Sequence, residues 1–267
     1  VMTPVFDEAG NDILFYVASR GHHAEIGGKT PGSMPPDSQH IDEEGVLIDN
    51  FQLVDQGRLR EKELEALFTS APYPTRNFHH NLGDLKAQIA ANEKGAQELR
   101  KMVGHFGLDV VLAYMKHVQD NAEESVRRVI ESLSDGEFEY EMDFGAKVKV
   151  AIKVHPETRS ATVDFTGTSP QQDNNFNITH AVAVAAVLYT FRLMVDADIP
   201  LNAGCLKPLD IIVPKDCMLR PKYPAAVVAG NVETSQAITD AILGALGLMG
   251  AAQGTMNNFT FGNANHQ

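Results

Sequence analysis

Lys147-Val148-Lys149-Val150-Ala151-Ile152-Lys153-Val154 alternates polar and apolar side chains with one small residue in the series. A period of two belongs to a β-strand, so Val148, Val150, Ile152 and Val154 share one face. The three lysines share the other, which reads as solvated. His155-Pro156-Glu157-Thr158-Arg159-Ser160 follows with turn-forming residues and leads into 161–165, with Ala161, Val163 and Phe165 at alternate positions. The stretch predicts a half-buried antiparallel hairpin with His155 exposed in its turn. One wet face and one buried face argue for a sheet covered on one side.

Working back toward the N-terminus, apolar residues recur at three-four spacing over 82–106: Leu82, Leu85, Ile89, Ala96, Leu99, Val103 and Phe106. Asn92 is the polar member of that seam. Gly107 ends the run and Asp109 is placed to cap a second helix. Val111, Met115, Val118, Ala122, Val126, Val129 and Leu133 carry the second stripe. The two predict a long helical hairpin, a scaffold or a subunit contact in a homo-oligomer. Residues 1–6 and 13–18 flank a turn rich in Asp, Asn and Gly and predict a first hairpin. Residues 46–54 predict a further strand, and 61–68 a short helix.

Working forward, residues 164–177 form a polar loop, 179–195 a helix and 209–213 a strand. Residues 225–229 predict another strand, followed by a helix running to about 249 that Thr234 or Ser235 caps. Residues 255–261 predict a last strand. Hairpins mixed with helices give an α+β, or irregular mixed α/β, fold. Three parts are expected: a strand-rich part with a histidine loop (1–75), the helical hairpin (76–135), and a mixed α/β part (140–267).

The 267 residues are 43% hydrophobic with a formal net charge of -13, enough apolar content for a real core. Acidity on that scale argues against nucleic acid, because phosphate binding needs a basic face. No apolar run approaches the roughly 20 residues that span a bilayer, and no signal-peptide pattern is present, so no membrane partner is expected. The two cysteines, Cys205 and Cys217, form no CxxC pair, which suits a reducing, cytoplasmic setting. Cys205 follows a turn-like Asn-Ala-Gly and reads as a buried or incidental thiol. There is no GxGxxG or Walker A motif. Neither end reads as a natural terminus, so a longer protein is expected.

Chemistry concentrates in Arg20-Gly21-His22-His23-Ala24-Glu25-Ile26-Gly27-Gly28. His22 and Glu25, three apart, can aim at one point, and an imidazole with a carboxylate suits Zn²⁺, Mn²⁺ or Fe²⁺. His40 supplies a third potential ligand. His23 points elsewhere on a regular backbone and suits an acid/base role. A rigid surface turn is the competing reading of the same loop. Asp42, Glu43 and Glu44 read as a solvated acidic run, and His79-His80 as an exposed helix start. The turn before the last helix, with Asn231, Thr234 and Ser235, offers N–H groups and hydroxyls to an anion such as a carboxylate. Asn257, Asn258, Asn263 and Asn265 could bond a polar ligand.

The run from Phe15 to Gly28, with Thr30-Pro31-Gly32-Ser33-Met34-Pro35-Pro36, resembles the hydantoinase B family, most closely the hydantoinase B-like half of the 5-oxoprolinases. Thr75-Arg76-Asn77, Asn81-Leu82, Asp84-Leu85, Gln88-Ile89-Ala90-Ala91-Asn92, Asp164-Phe165-Thr166-Gly167-Thr168 and Gly230-Asn231-Val232 carry the resemblance further. It implies hydrolysis of a cyclic amide, 5-oxo-L-proline or a relative, coupled to ATP. The ATP would be bound by a separate hydantoinase A-like domain or subunit. A divalent metal on His22, Glu25 and His40 is implied, with a further acidic ligand upstream and Asp common where Glu25 stands. It also implies His23 as proton shuttle, and Asn231, Thr234 and Ser235 on the substrate carboxylate.

Overall fold

The structure, a computed structural model, describes residues 1–251. The predicted strand at 255–261 and the asparagine cluster from Asn257 to Asn265 lie outside them. The chain forms two compact units, residues 1–33 with 44–115, and residues 34–43 with 116 onward. The secondary structure is the expected mixture of helices with small antiparallel and mixed sheets.

In the first unit, β1 (Met2–Phe6) and β2 (Ile13–Ala18) form the expected antiparallel hairpin, with Val5 opposite Phe15. Both residues point inward to Ala96 and Val111, with Leu99, Val103 and Leu108 around them. The predicted strand at 46–54 is absent. Only a two-residue ladder forms, β3 (Val54–Asp55) with β4 (Arg58–Leu59). The backbone before it is bonded elsewhere: Val46 N–H donates to Ile26, and Arg60 donates to the Gln52 and Leu53 carbonyls through its side chain and N–H. Apolar residues here fill space between loops rather than build a sheet.

Helix α1 (Glu61–Thr69) follows, with Leu64 and Phe68 one turn apart on its buried face against Leu82 and Leu85 of α2 (Phe78–Phe106). Asn77 caps α2, its side chain accepting from His80 N–H at 3.3 Å. Gly107 ends it at φ 86°, a value that suits glycine, and α3 (Leu108–Ile130) starts at the next residue. Asp109 therefore lies in the first turn of α3 instead of capping it. The helical stripes do not zip together along their length. Ala96, Leu99 and Val103 meet Leu108 and Val111, whereas Ala122, Val126 and Ile130 belong to the core of the second unit.

The second unit is built on one four-stranded sheet in the order β5-β6-β7-β8. Its centre is the predicted hairpin, β6 (Lys147–His155) paired with β7 (Ser160–Asp164). At its edge is β5 (Gly136–Glu141), which the sequence reading missed. On the far side β8 (Leu209–Ile212) runs parallel to β7, as the intervening helix α4 (His180–Leu193) permits. Val148, Val150, Ile152 and Val163 are buried beneath α4 and α5 (Ser235–Ala245) with Phe191, Ile238 and Ile242. His155 is half-buried, not exposed: its Nε2 lies 2.9 Å from the Thr162 hydroxyl across the hairpin.

Residues 225–229 form no strand. Ala225 makes one isolated bridge to His40, Ala226 N–H donates to Gln39, and Ala229 N–H donates to Asn175. This extended piece pairs with loops because Asn175 and Asn177 supply its partners. Before α5 the chain makes a π-helical turn (Gly230–Thr234), so Thr234 is already helical at φ -64° and caps nothing.

Candidate functional site

The histidine loop has no regular structure of its own, so its polar groups must find partners elsewhere. Much of that partnership comes from one stripe of α2. Asn77, Asn81, Asp84, Gln88 and Asn92 recur at helical spacing on a single face. Asn92 Nδ2 donates to Thr3 Oγ1 at 3.0 Å, and the Ser19 hydroxyl donates to the Gln88 carbonyl at 3.0 Å. Gly21 lies so close to the Gln88 side chain that a Cβ there would come within 2.9 Å of its amide nitrogen. His23 meets Asp84, and Asn81 Nδ2 donates to the Glu25 carbonyl at 2.7 Å. The loop thus runs antiparallel to the helix, rung by rung.

Glu25 anchors the loop's far end. Its Oε1 accepts from the Thr75 hydroxyl, from Arg76 N–H at 3.0 Å and from Asn77 N–H at 3.2 Å. Oε2 accepts from Gly27 N–H at 2.9 Å and faces the Arg76 guanidinium at 3.4 Å. Burial acts to raise the Glu25 pKa, but the Thr75 hydroxyl and the N–H groups of Gly27, Asn77 and Arg76 outweigh it and hold the carboxyl below the ordinary range. Gly27, at φ 87°, presses against the Tyr73 carbonyl where no side chain fits. The Ser33 hydroxyl closes the loop, accepting from Ile26 N–H and donating to the Gly27 carbonyl.

His23 is the buried imidazole of the pair, its side chain 12% exposed. Nδ1 lies 2.8 Å from Asp84 Oδ2, and the ring meets the edge of fully buried Phe68 at a centroid distance of 6.3 Å. Among the described residues Nε2 has no hydrogen-bond partner. His22 is exposed. His40 belongs to the second unit, exposed on a segment fixed there by Asn175, which donates to the Pro35 carbonyl at 2.9 Å and the Ser38 hydroxyl at 3.1 Å.

His22, Glu25 and His40 have the right chemistry for a borderline metal; His22 and Glu25 lie in the first unit and His40 in the second. Among the described residues no three His, Cys, Asp or Glu side chains are grouped to hold an ion. Glu25 has both oxygens committed to protein donors. As placed, with its oxygens committed to these donors, Glu25 is not presented to a metal ion.

The remaining candidates are accounted for. The Thr234 hydroxyl is buried and donates to the Phe176 carbonyl at 2.6 Å, and the Ser235 hydroxyl donates to the Asn231 carbonyl at 2.7 Å. Both hydroxyls are thus committed to backbone carbonyls, and of the three residues Asn231 is exposed, Ser235 half-buried and Thr234 buried. The acidic run is not a solvated one: Glu44 is buried, and Glu43 accepts from Gln39 N–H at 3.0 Å. His79 and His80 are exposed at the start of α2, as expected. Cys205 and Cys217 are buried and unbridged, and burial raises the Cys217 thiol pKa. No helix among the described residues is long and apolar enough to cross a membrane.

The geometry defines a mixed α+β chain in which His23, its side chain 12% exposed, pairs with the Asp84 carboxylate on a glycine-rich loop. The chain belongs to the hydantoinase B/oxoprolinase family, whose sequence model matches residues 1–267. It is 44% identical to 5-oxoprolinase 1 of Arabidopsis thaliana and 43% identical to the 5-oxoprolinase of Dictyostelium discoideum, each across 98% of this chain. It spans only 22% and 21% of those two proteins, about a fifth of their length. The fold is that of part of the ATP-dependent caprolactamase from Pseudomonas jessenii, at a TM-score of 0.80 and 23% identity over 94% of this chain and 43% of the other.

Proposed function

We propose that this chain is the hydrolytic part of an ATP-dependent 5-oxoprolinase, and that His23 moves the proton when water opens the cyclic amide. The supporting observation is the His23 imidazole, nearly buried and fixed at Nδ1, on the loop that α2 holds in one path. Identity above 40% with 5-oxoprolinases across almost the whole chain supports the substrate, 5-oxo-L-proline.

An amide carbonyl is a weak electrophile, so the reaction needs ATP-driven activation of the ring. No phosphate-binding loop is present in this sequence, and we assign that step to a hydantoinase A-like domain or subunit of the whole enzyme. Here, water would add to the carbonyl carbon as His23 Nε2 accepts one of its protons. The ring C–N bond of the phosphorylated adduct then breaks, the proton passes to the departing nitrogen to leave γ-glutamyl phosphate, and a second water releases inorganic phosphate and L-glutamate. No step is routed through a metal ion. Two unbridged thiols accord with a reducing, cytoplasmic location.

The test is His23→Ala in the full-length enzyme, measuring glutamate formed from 5-oxoproline and ATP. Losing a proton-transfer group is expected to lower turnover by about 10²–10⁴-fold. Wild-type turnover would overturn the assignment.

A further inference from the structure

We infer that Asp84 is a positioning residue that fixes the tautomer and direction of the His23 ring, so that Nε2 is the nitrogen that exchanges protons with the reactants. This rests on the role proposed for His23. An ionised carboxylate only accepts hydrogen bonds, so the 2.8 Å contact with Asp84 Oδ2 requires the hydrogen on Nδ1. In the neutral ring the lone pair is then on Nε2. Ring rotation is restrained from the side by Phe68, whose ring plane stands at 80° to the imidazole. Neither group acts alone: the aromatic edge limits the swing, and the carboxylate chooses which nitrogen carries the hydrogen.

The helix explains why an aspartate at this position reaches the histidine. On the flanking turns of α2, the Asn81 side chain donates to the Glu25 carbonyl and the Gln88 backbone carbonyl accepts from the Ser19 hydroxyl, so the loop is held on either side of residue 23. Asp84 is the rung between them, so its short side chain meets the ring without reaching. The same placement argues against a mainly stabilising role. The Asp84 side chain is 45% exposed, and a contact so open to water adds little to stability.

The experiment compares Asp84→Asn, Asp84→Glu and His23→Ala in the full-length enzyme, with kcat and KM for 5-oxoproline and the thermal midpoint measured for each. Asparagine keeps the shape but can turn its amide NH₂ toward Nδ1 and favour the other tautomer. We expect Asp84→Asn to lose about 10²-fold or more in kcat, within the range for a misdirected proton carrier, with KM changed less than about threefold. Asp84→Glu, which can still accept from Nδ1, should recover at least about tenfold of that loss. A kcat within about threefold of wild type for Asp84→Asn, beside an inactive His23→Ala, would overturn the inference and leave His23 standing. An effect confined to KM, or a glutamate variant no better than asparagine with a lowered midpoint, would also overturn it by showing a structural role. A fully active His23→Ala removes both.

Discussion

Truncating Glu25 to alanine tests whether one carboxylate holds the histidine loop to the start of α2. Three neutral donors lose their acceptor, the N–H groups of Gly27, Arg76 and Asn77, while the Thr75 hydroxyl keeps Asn81 Oδ1 at 2.6 Å. Arg76 and Asn77 are exposed and can turn to water at little net cost. Gly27 is buried against the Tyr73 carbonyl, so its N–H is left unpaired, which costs about 1–3 kcal/mol. With the smaller losses at the other donors, about 2–4 kcal/mol of local stability goes. At about 2 kcal/mol the opening equilibrium of the loop rises about 30-fold. Hydrogen exchange on the full-length protein reads this directly. Peptides covering residues 20–33 and 73–82 should exchange that much faster in Glu25→Ala, while β6 and α4 keep wild-type rates. Unchanged exchange in the first two peptides would refute the account of Glu25 as an anchor.

The sign of the pH effect follows from the same cage. The folded pKa of Glu25 lies below the ordinary 4.5. The carboxylate therefore contributes its full stability above that value and loses it as pH falls through the lowered, folded one. Loop exchange, corrected for the intrinsic pH dependence of the chemistry, should be flat through neutral pH and rise only in acid below about 4.5. Glu25→Gln should abolish that acid-induced change.

Two further outcomes concern the surroundings. Asn175→Ala removes the donor to the buried Pro35 carbonyl and the Ser38 hydroxyl. Exchange over residues 34–43 should then rise by a factor corresponding to about 1–3 kcal/mol, and a wild-type rate would show that the segment is held by other means. Phe68→Ala empties a site with no solvent exposure and should cost about 3–5 kcal/mol, seen as an earlier urea transition of the first unit. It should also lower kcat by releasing the His23 ring, and a stability loss without a kcat loss would confine Phe68 to packing.

Where the sequence pattern has one physical meaning, it was readable. The alternation from Lys147 to Val154 can only be a strand with one buried face, and it is the centre of the larger sheet. Apolar runs were less decisive. Residues 46–54 and 225–229 have strand-like composition, but their backbone groups bond to nearby Arg60 and to Ile26, Gln39 and Asn175, which are distant in sequence. Strand β5 was hidden by its charges: Glu137, Glu139 and Glu141 surround Phe138 and Tyr140. Only the partner strand shows why they are tolerated, with Lys147 Nζ 2.6 Å from Glu139. The histidine loop was visible as a place of chemistry. Spacing suggested that His22 and Glu25 work together, and the structure gives Glu25 to the Thr75 hydroxyl and the N–H groups of Gly27, Arg76 and Asn77, with His23 the less exposed ring.

The signal that would have found Asp84 was present in the same helix. Apolar spacing marked α2 as amphipathic, and Asn92 stood out as one polar residue in the seam. Extended by the same three-four steps, that seam includes Gln88, Asp84, Asn81 and Asn77, several of them buried. A helix tolerates buried amides only when each has a partner, because an unpaired one costs more than an apolar residue contributes. Its own backbone cannot supply those partners, being bonded along the helix axis. A row of buried amides on one face therefore implies a second chain segment lying along it with unpaired polar groups of its own. The glycine-rich loop is such a segment, unable to satisfy its N–H and C=O groups internally. Asn81 and Asp84 of the stripe meet that loop, while the Gln88 and Asn92 side chains pair with Val1 and Thr3 at the start of the chain. Residue 84 then faces the loop by the helical repeat itself, and the histidine opposite it is the one whose ring is fixed.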